Sequence, residues 1–467
     1  MHRYIGDRAF YRRVLTVVLP IIIQNFITNF VSMLDNIMVG QIGTVQMSGV
    51  AIVNQLMFVF NLCVFGATSG AGIFTAQFFG SEDHEGVRHT FRFKVLVGSA
   101  LAAVGIGVFL SWGDLLIDLY LKGDGSVENA QLSLQYGLAY MKVMLFGLPA
   151  FALANAYSGT LRECSQTSVP MFAGISAVVV NLVLNYILIF GHLGLPAMGV
   201  EGAALATVIS RYVELAIVAL WTHSHSKRAP FIAGAYQSFR IPGKLFLSIT
   251  RKGMPLLINE FLWASGMAVL SQCYSTRGLD VVAAQNISST IYNLASVVFL
   301  SMGSSVGIII GQMLGAGRSE EEVRDTDRKL IVTSVVSCLL FAILMAATAN
   351  VFPKIYNTTD DVRTLATMLI LISAVMMPFN AYTNATYFTL RSGGQTVVTF
   401  LFDSCFVWVV CVPLAFCLSR FTDINILWLY GICHGTDLIK CVVGAWMIKK
   451  GAWIQVLVKD ETKRSAN

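Results

Sequence analysis

Apolar residues along this chain fall into long blocks rather than short amphipathic stripes. Windows such as Met171–Gly191 and Leu330–Asn350 contain no Asp, Glu, Lys or Arg. Each is about the 20 residues needed to cross roughly 30 Å of hydrocarbon at 1.5 Å per residue. Read in order, the blocks predict twelve spans, at 14–39, 49–79, 93–119, 132–157, 169–190, 200–222, 253–275, 283–313, 329–350, 363–388, 397–418 and 425–447. Helices satisfy their own backbone groups within lipid, so the chain reads as an all-α polytopic membrane protein.

The blocks also repeat. Pro20 opens a stretch that ends in Gln77 and Gly80, and Pro255 opens one that ends in Gln312 and Gly315, at a constant offset of 235. Phe26/Phe261, Gly43/Gly278 and Gly72/Gly307 match at the same offset. At an offset of 229, Pro149, Asn155, Thr160-Leu161-Arg162 and Gln166-Thr167 match Pro378, Asn384, Thr389-Leu390-Arg391 and Gln395-Thr396. Twelve transmembrane helices therefore divide into two pseudo-symmetric six-helix lobes. An even number of spans per lobe gives both the same orientation, with the pseudo-twofold axis along the membrane normal, an arrangement common in secondary transporters. The expected division is an amino-terminal lobe at 1–222, a cytoplasmic linker at 223–252, and a carboxy-terminal lobe at 253–467 with a short basic cytoplasmic tail. Within the linker, Ile241 to Ile249 reads as a short helix at the membrane surface. The long spans 2 and 8 carry Gly66, Gly70, Gly72 and Gly303, Gly307, Gly311, which suit either bending or close helix contact.

Charge fixes the orientation. Only 12% of residues are charged and 55% are hydrophobic, against roughly 25% charged in soluble domains. With both termini inside, outer loops and span ends hold only Lys122, Arg277, Lys354, Arg363 and Arg420, while Lys142, Arg211 and Lys440 lie deep within spans. The remaining bases fall inside, as the positive-inside rule requires. The net charge of +6 is therefore a loop property and no nucleic-acid signal. Nine Cys, without a CxxC and almost all within apolar runs, behave as small hydrophobes rather than metal ligands or disulfides. Gly311–Gly317 lacks the Lys-Ser/Thr ending of a phosphate loop. With no nucleotide site and no cofactor, transport must draw on an ion gradient across the cell membrane. Two complete halves in one chain make dimerisation unnecessary, so a monomer is expected.

A few polar residues inside the spans carry the candidate chemistry. Asp35 is the only ionisable residue of span 1 after Arg13, about four residues, or roughly 6 Å, from its outer end. Asn181 and Asn185 are four apart and share one face of span 5, and Thr207 lies early in span 6. All four fall at similar depth in the outer leaflet. One carboxylate, two amides and a hydroxyl suit a monovalent cation, or a proton on a desolvated carboxylate. The plainer readings are an Asp reaching water at a helix end and paired Asn acting as interhelical glue worth about 0.6 kcal/mol each. Glu260 lies near mid-membrane in span 7, where a carboxylate is functional or paired. Arg211 and Glu214, three apart, are placed to pair. His434, Asp437 and Lys440 form a stripe in span 12 that reads as self-neutralising or as a proton relay. Asp403 has no evident partner, and Lys142 is placed to reach an acid. The 30 Phe and 18 Met suit a pliable cavity as well as a lipid-facing surface.

The repeats, the segment Pro20–Gly80 with its single Asp35, Leu161-Arg162-Glu163, Asn181–Asn185 and Gly199–Thr207 together resemble the multidrug and toxic compound extrusion (MATE) family over essentially the whole chain. The resemblance implies an antiporter that exports organic cations, drugs or related amphiphilic metabolites in exchange for H⁺ or Na⁺, by rocking of two lobes. It implies a cation site at Asp35, Asn181, Asn185 and Thr207, with Asn185 standing where many members carry a second Asp. It also implies a second-lobe polar site of an acid in span 7 and an Asp in span 10, represented here by Glu260 and Asn380; Glu260 is then free to meet a cationic substrate. A lipid-linked oligosaccharide flippase of the same superfamily is the alternative within transport. It is disfavoured by the scarcity of intramembrane bases. An intramembrane enzyme is the alternative outside transport, disfavoured by the lack of an HExxH or of a GxSxG with a partner His.

Overall fold

The computed structural model describes residues 4–121 and 127–458, apart from the side chains of 31–33, 35–37 and 127. The described residues are helical or connecting, in the order α1 Arg8–Gly40, α2 Thr44–Gly80, α3 His84–Leu121, α4 Val127–Met144, α5 Gly147–Glu163, α6 Ser168–Phe190, α7 Gly199–Ser224, α8 Gly243–Ser275, α9 Leu279–Gly315, α10 Glu320–Thr348 and α11 Asp360–Ser392. Next come α12 Thr396–Phe400, two π-helical turns at Leu401–Cys405 and Val407–Cys411, α13 Val412–Phe421, α14 Ile426–Gly435 and α15 Asp437–Lys450. Among the described residues, eleven segments are long and apolar enough to cross a membrane. A twelfth is the pair α4 and α5, bent by 49°. Pro149 accounts for that break, because it cannot donate to Leu145 and its ring crowds that carbonyl. Its repeat counterpart Pro378 is accommodated inside an unbroken α11.

Close contacts group the chain into two compact units, one of Ile23–Thr75 and Asp83–Thr250, the other of Met1–Ile22, Ala76–Glu82 and Arg251–Asn467. In the first, Val53, Val64, Ile117 and Ala204 are among the fully buried residues of the core. In the second, Val14 and Val18 of α1 pack with Val306, Ile309 and Ile310 of α9, which explains why the chain's first turns belong with its second half. Many Leu, Phe and Trp are exposed on the outer faces, among them Leu110, Trp112, Phe172, Trp428 and Trp446. Such faces are expected where lipid, not water, is the solvent.

The short turns before α2 and α9 carry matched glycines with positive φ, Gly43 at +152° and Gly278 at +116°, a conformation that side chains disfavour. Ser319 and Thr359 cap α10 and α11 by accepting from the Glu322 and Val362 amides, with acids in both first turns that favour the helix dipole. Three glycines of the long helices serve close contact: a Cβ at Gly72 would strike Glu163, and one at Gly303 or Gly307 would press on Asn384 or Phe388. Near the ends of α2 and α9 the approach is reciprocal. Gly80 lies against the Gln312 carbonyl and Gly315 against the Gln77 carbonyl, with no room for a Cβ at either.

Two segments are more ordered than the sequence suggests. Residues 243–249 are the first turns of α8 rather than a separate surface helix, because Gly253 and Pro255 are both absorbed within the helix. The linker ahead of them is clamped onto α3. Arg88 donates to the Phe231 carbonyl, and Arg92 to the carbonyls of Ala235, Gly234 and Arg240. Tyr236 meets the Tyr157 hydroxyl at 2.6 Å, and Tyr157 in turn meets His223 at 3.1 Å; burial raises the Tyr236 phenol. Beyond α15 the chain also stays packed. Trp453 is fully buried against Gly393, and Gln77 holds the tail by donating to the Gln455 carbonyl and accepting from the Leu457 amide.

Candidate functional site

The amino-terminal polar residues converge. Asn185 donates to the Asn181 carboxamide oxygen at 3.2 Å, Asn181 donates to the Thr207 hydroxyl at 3.3 Å, and Thr207 donates to the Ala203 carbonyl at 3.0 Å. Both Asn are buried. The spacing of four on α6 places them on one face, and the close approach of α6 to α7 at Gly202, where a Cβ would lie 2.7 Å from the Leu188 carbonyl, brings Thr207 within reach. The result is a ladder of three side-chain oxygens in an apolar surround. Asp35 lies on α1 five residues before its end, and its side chain is outside the described residues.

The carboxy-terminal candidates do not converge in the same way. Asn380 donates to the Tyr292 hydroxyl at 2.9 Å. The charged neighbours of Glu260 are instead Arg391 and Asp403. Asp403 accepts from Lys440 at 3.0 Å and from Asn259 at 3.2 Å. Asn259, 1% exposed, also accepts from the Ser404 hydroxyl at 2.7 Å and amide at 3.3 Å. Asp403 therefore has the partner that its sequence neighbourhood did not reveal. Lys440 does not simply neutralise a stripe on its own helix: its ammonium reaches Asp403 of span 11, and a single turn residue, Thr436, separates α14 from α15. Asp437 remains in its field, and His434 lies beside Tyr430 with ring centres 4.2 Å apart and planes tilted by 46°. Arg211 and Glu214 pair at 3.1 Å as their spacing predicts. Lys142 is exposed on α4.

Two further buried polar contacts escaped the sequence. Lys94, 2% exposed, pairs with Glu163, 17% exposed, and donates to the Thr160 hydroxyl at 3.2 Å. Arg162 donates to Gln24 at 2.7 Å. Gln24 and Asn259 occupy equivalent repeat positions, as do Gly174 and Asp403. In the first half Gln24 packs on Gly174, with its Nε2 2.7 Å from where a Cβ would stand. In the second half the same crossing holds a carboxylate. The repeated Thr-Leu-Arg at 160–162 and 389–391 was the available signal for both.

These features sit on a matched scaffold. A family model described as MatE matches residues 20–187 and 255–417, one segment in each half. The chain belongs to the MatE family. It is 24% identical over 426 residues to a probable multidrug resistance protein NorM of Thermotoga maritima, covering 89% of this chain and 87% of the relative. It is 26% identical over 415 residues to the NorM of Shewanella oneidensis, covering 88% and 87%. Among solved structures, an outward-facing multidrug resistance MATE family transporter of the MOP superfamily matches with a TM-score of 0.84 at 18% identity, covering 96% of this chain and 98% of that one. A MATE protein in complex with MaL6 matches with a TM-score of 0.81. This MatE chain thus has the two-lobe, all-α transporter fold, and it is a multi-pass membrane transporter rather than an enzyme.

Proposed function

We propose that the protein is a secondary active antiporter that exports organic cations, drugs or related amphiphilic metabolites in exchange for H⁺ or Na⁺ by alternating access. The observation that carries this reading is the buried Asn185–Asn181–Thr207 ladder, a run of polar groups that lipid-facing helices do not need. The relatives' description as multidrug resistance proteins supports the substrate class. Asp35, Asn181, Asn185 and Thr207 bind the coupling ion, with Asp35 as the sole carboxylate, and Glu260 meets cationic substrate in the second lobe. The lobes are 1–222 and 253–467, joined by the linker 223–252, with both termini cytoplasmic and a monomer as the working unit. One charge crossing 100 mV supplies about 2.3 kcal/mol, which cancels when a monovalent cation leaves as another enters. The coupling ion's chemical gradient then drives export. Binding of that ion must differ between the two conformations, since a ligand bound equally to both shifts neither.

The flippase reading gains no support from the buried bases, because Lys94, Arg162 and Lys440 are each engaged by protein groups. The test is efflux of a fluorescent organic cation from proteoliposomes under an imposed pH or Na⁺ gradient, wild type beside Asp35→Asn and Asn181→Leu. Gradient-driven efflux that both variants lose is the expected result and names the ion. Equal efflux in all three proteins would remove the amino-terminal site from the mechanism.

A further inference from the structure

The charged side chains inside the second unit form a set of which the antiport reading uses only Glu260. Glu260 comes from α8, Arg391 and Tyr387 from α11, Asp403 from the first π-helical turn, and Lys440 with Asp437 from α15. Tyr387 feels both Glu260 and Asp403 as well as Arg391, so the two carboxylates share one neighbourhood. Asn259, next to Glu260 in sequence, is bonded to Asp403, to Ser404 and, at 3.4 Å, to the Tyr387 hydroxyl. Lys440 reaches Asp403 with its ammonium 5.6 Å and 5.7 Å from the ring centres of Phe402 and Phe406, a cage of a carboxylate and two aromatic faces. Carboxylates and aromatic faces are the groups that bind organic ammonium ions.

The backbone around Asp403 is irregular at the same place. Leu401–Cys405 and Val407–Cys411 have π-helical turns, which occur mostly as single-turn interruptions of α-helices and are frequent at functional sites. Pro413 follows, unable to donate to Val409 in an α-helical register. The Ser404 amide reaches across to Asn259, and Trp408 donates to the Leu262 carbonyl at 2.8 Å. The wider turns thus aim Asp403 at α8 and α15 and hold it there.

We propose that Asp403 is a second carboxylate of the Glu260 site and that Lys440 is the tethered cation it holds, so that this pair sets the site's selectivity for cationic substrates. The inference rests on Glu260 meeting substrate, as above. With Glu260, Asp403, Arg391 and Lys440 all charged, those four groups balance, and Lys440 competes with an incoming cation for Asp403. Loss of Lys440 leaves a carboxylate for the substrate; loss of Asp403 leaves Arg391 and Lys440 facing it.

The test is equilibrium binding of tetraphenylphosphonium to purified protein, with thermal unfolding run on every variant. Lys440→Met is expected to bind about tenfold tighter and Asp403→Asn about tenfold weaker, the scale of one unit charge several ångströms away in a partly screened site. The balanced Asp403→Asn/Lys440→Met protein falls between them. Weaker binding in both single variants, which a merely structural pair would give, overturns the proposal, as does unchanged binding in both. If Asp403→Asn does not fold, Lys440→Met against the double variant decides: tighter binding in the former supports the pair's role and equal binding refutes it. Glu260→Gln separates the two readings. Binding lost there but unmoved by Lys440→Met refutes this inference alone; wild-type binding in Glu260→Gln refutes the Glu260 reading on which it rests.

Discussion

Glu163→Gln should be among the most damaging single changes to folding, although the residue lies outside both candidate sites. Its carboxylate is the counter-charge of Lys94, whose side chain is 2% exposed and whose other hydrogen bond goes to Thr160. A glutamine of the same size leaves the ammonium buried with a hydroxyl and an amide for company. Breaking a buried pair by removing one partner costs about 3–5 kcal/mol, because the remaining charge is uncompensated. For a unit of this size each kcal/mol moves the melting temperature by roughly 2–4 °C, so a fall of at least about 6 °C is expected. Lys94→Met should cost less, about 1–3 kcal/mol, since Glu163 is 17% exposed and better placed to reach water. The double variant Lys94→Met/Glu163→Gln removes both charges and should recover to within about 1 kcal/mol of wild type. Thermal unfolding of the four proteins in detergent, followed by tryptophan fluorescence, completes the cycle. Additive losses in the double variant, or a fall below about 2 °C for Glu163→Gln, would show that the pair is not energetically coupled and refute the reasoning.

Three further outcomes are expected. Arg92→Ala removes three carbonyl contacts to the linker, charged hydrogen bonds worth about 1.5–3 kcal/mol each at most; trypsin should then cut between Lys227 and Arg240 at least tenfold faster, and an unchanged digestion rate would show that the linker is held elsewhere. Gly80→Ala and Gly315→Ala each force a methyl against a backbone carbonyl, an overpacking cost of about 1–3 kcal/mol, and comparable losses of melting temperature in both would bear out the reciprocal crossing. Trp453→Ala empties a fully buried site and should cost about 3–5 kcal/mol, read as a lower melting temperature.

Hydropathy located every span, because twenty apolar residues in a row leave few alternatives. Span ends moved outward by several residues where polar residues continue the helix past the lipid, as at Arg8–Arg13 of α1 and Gly243–Lys252 of α8. The convergence of Asn181, Asn185 and Thr207 was legible since helix spacing and matching depth constrain it. The pairing of Asp403 with Lys440 was not, because it depends on the rotation of two helices about their own axes. The π-helical turns of span 11 alter that rotation and leave no mark in hydropathy. Repeat alignment carried more than it first revealed: Gln24 and Asn259, equivalent by offset, occupy corresponding helix crossings with different partners.

The hold of Gln77 on residues 455–457 has a consequence for how a duplicated protein departs from symmetry. Gln77 and Gln312 occupy equivalent repeat positions, and the segment 455–457 can serve only one of them. Gln77 takes it, through the Gln455 carbonyl and the Leu457 amide. Once one copy of a residue is committed to a partner that exists only once, the two copies answer to different constraints. Exchanging the residues' surroundings between halves, or ending the chain before Gln455, should therefore harm the Gln77 side alone.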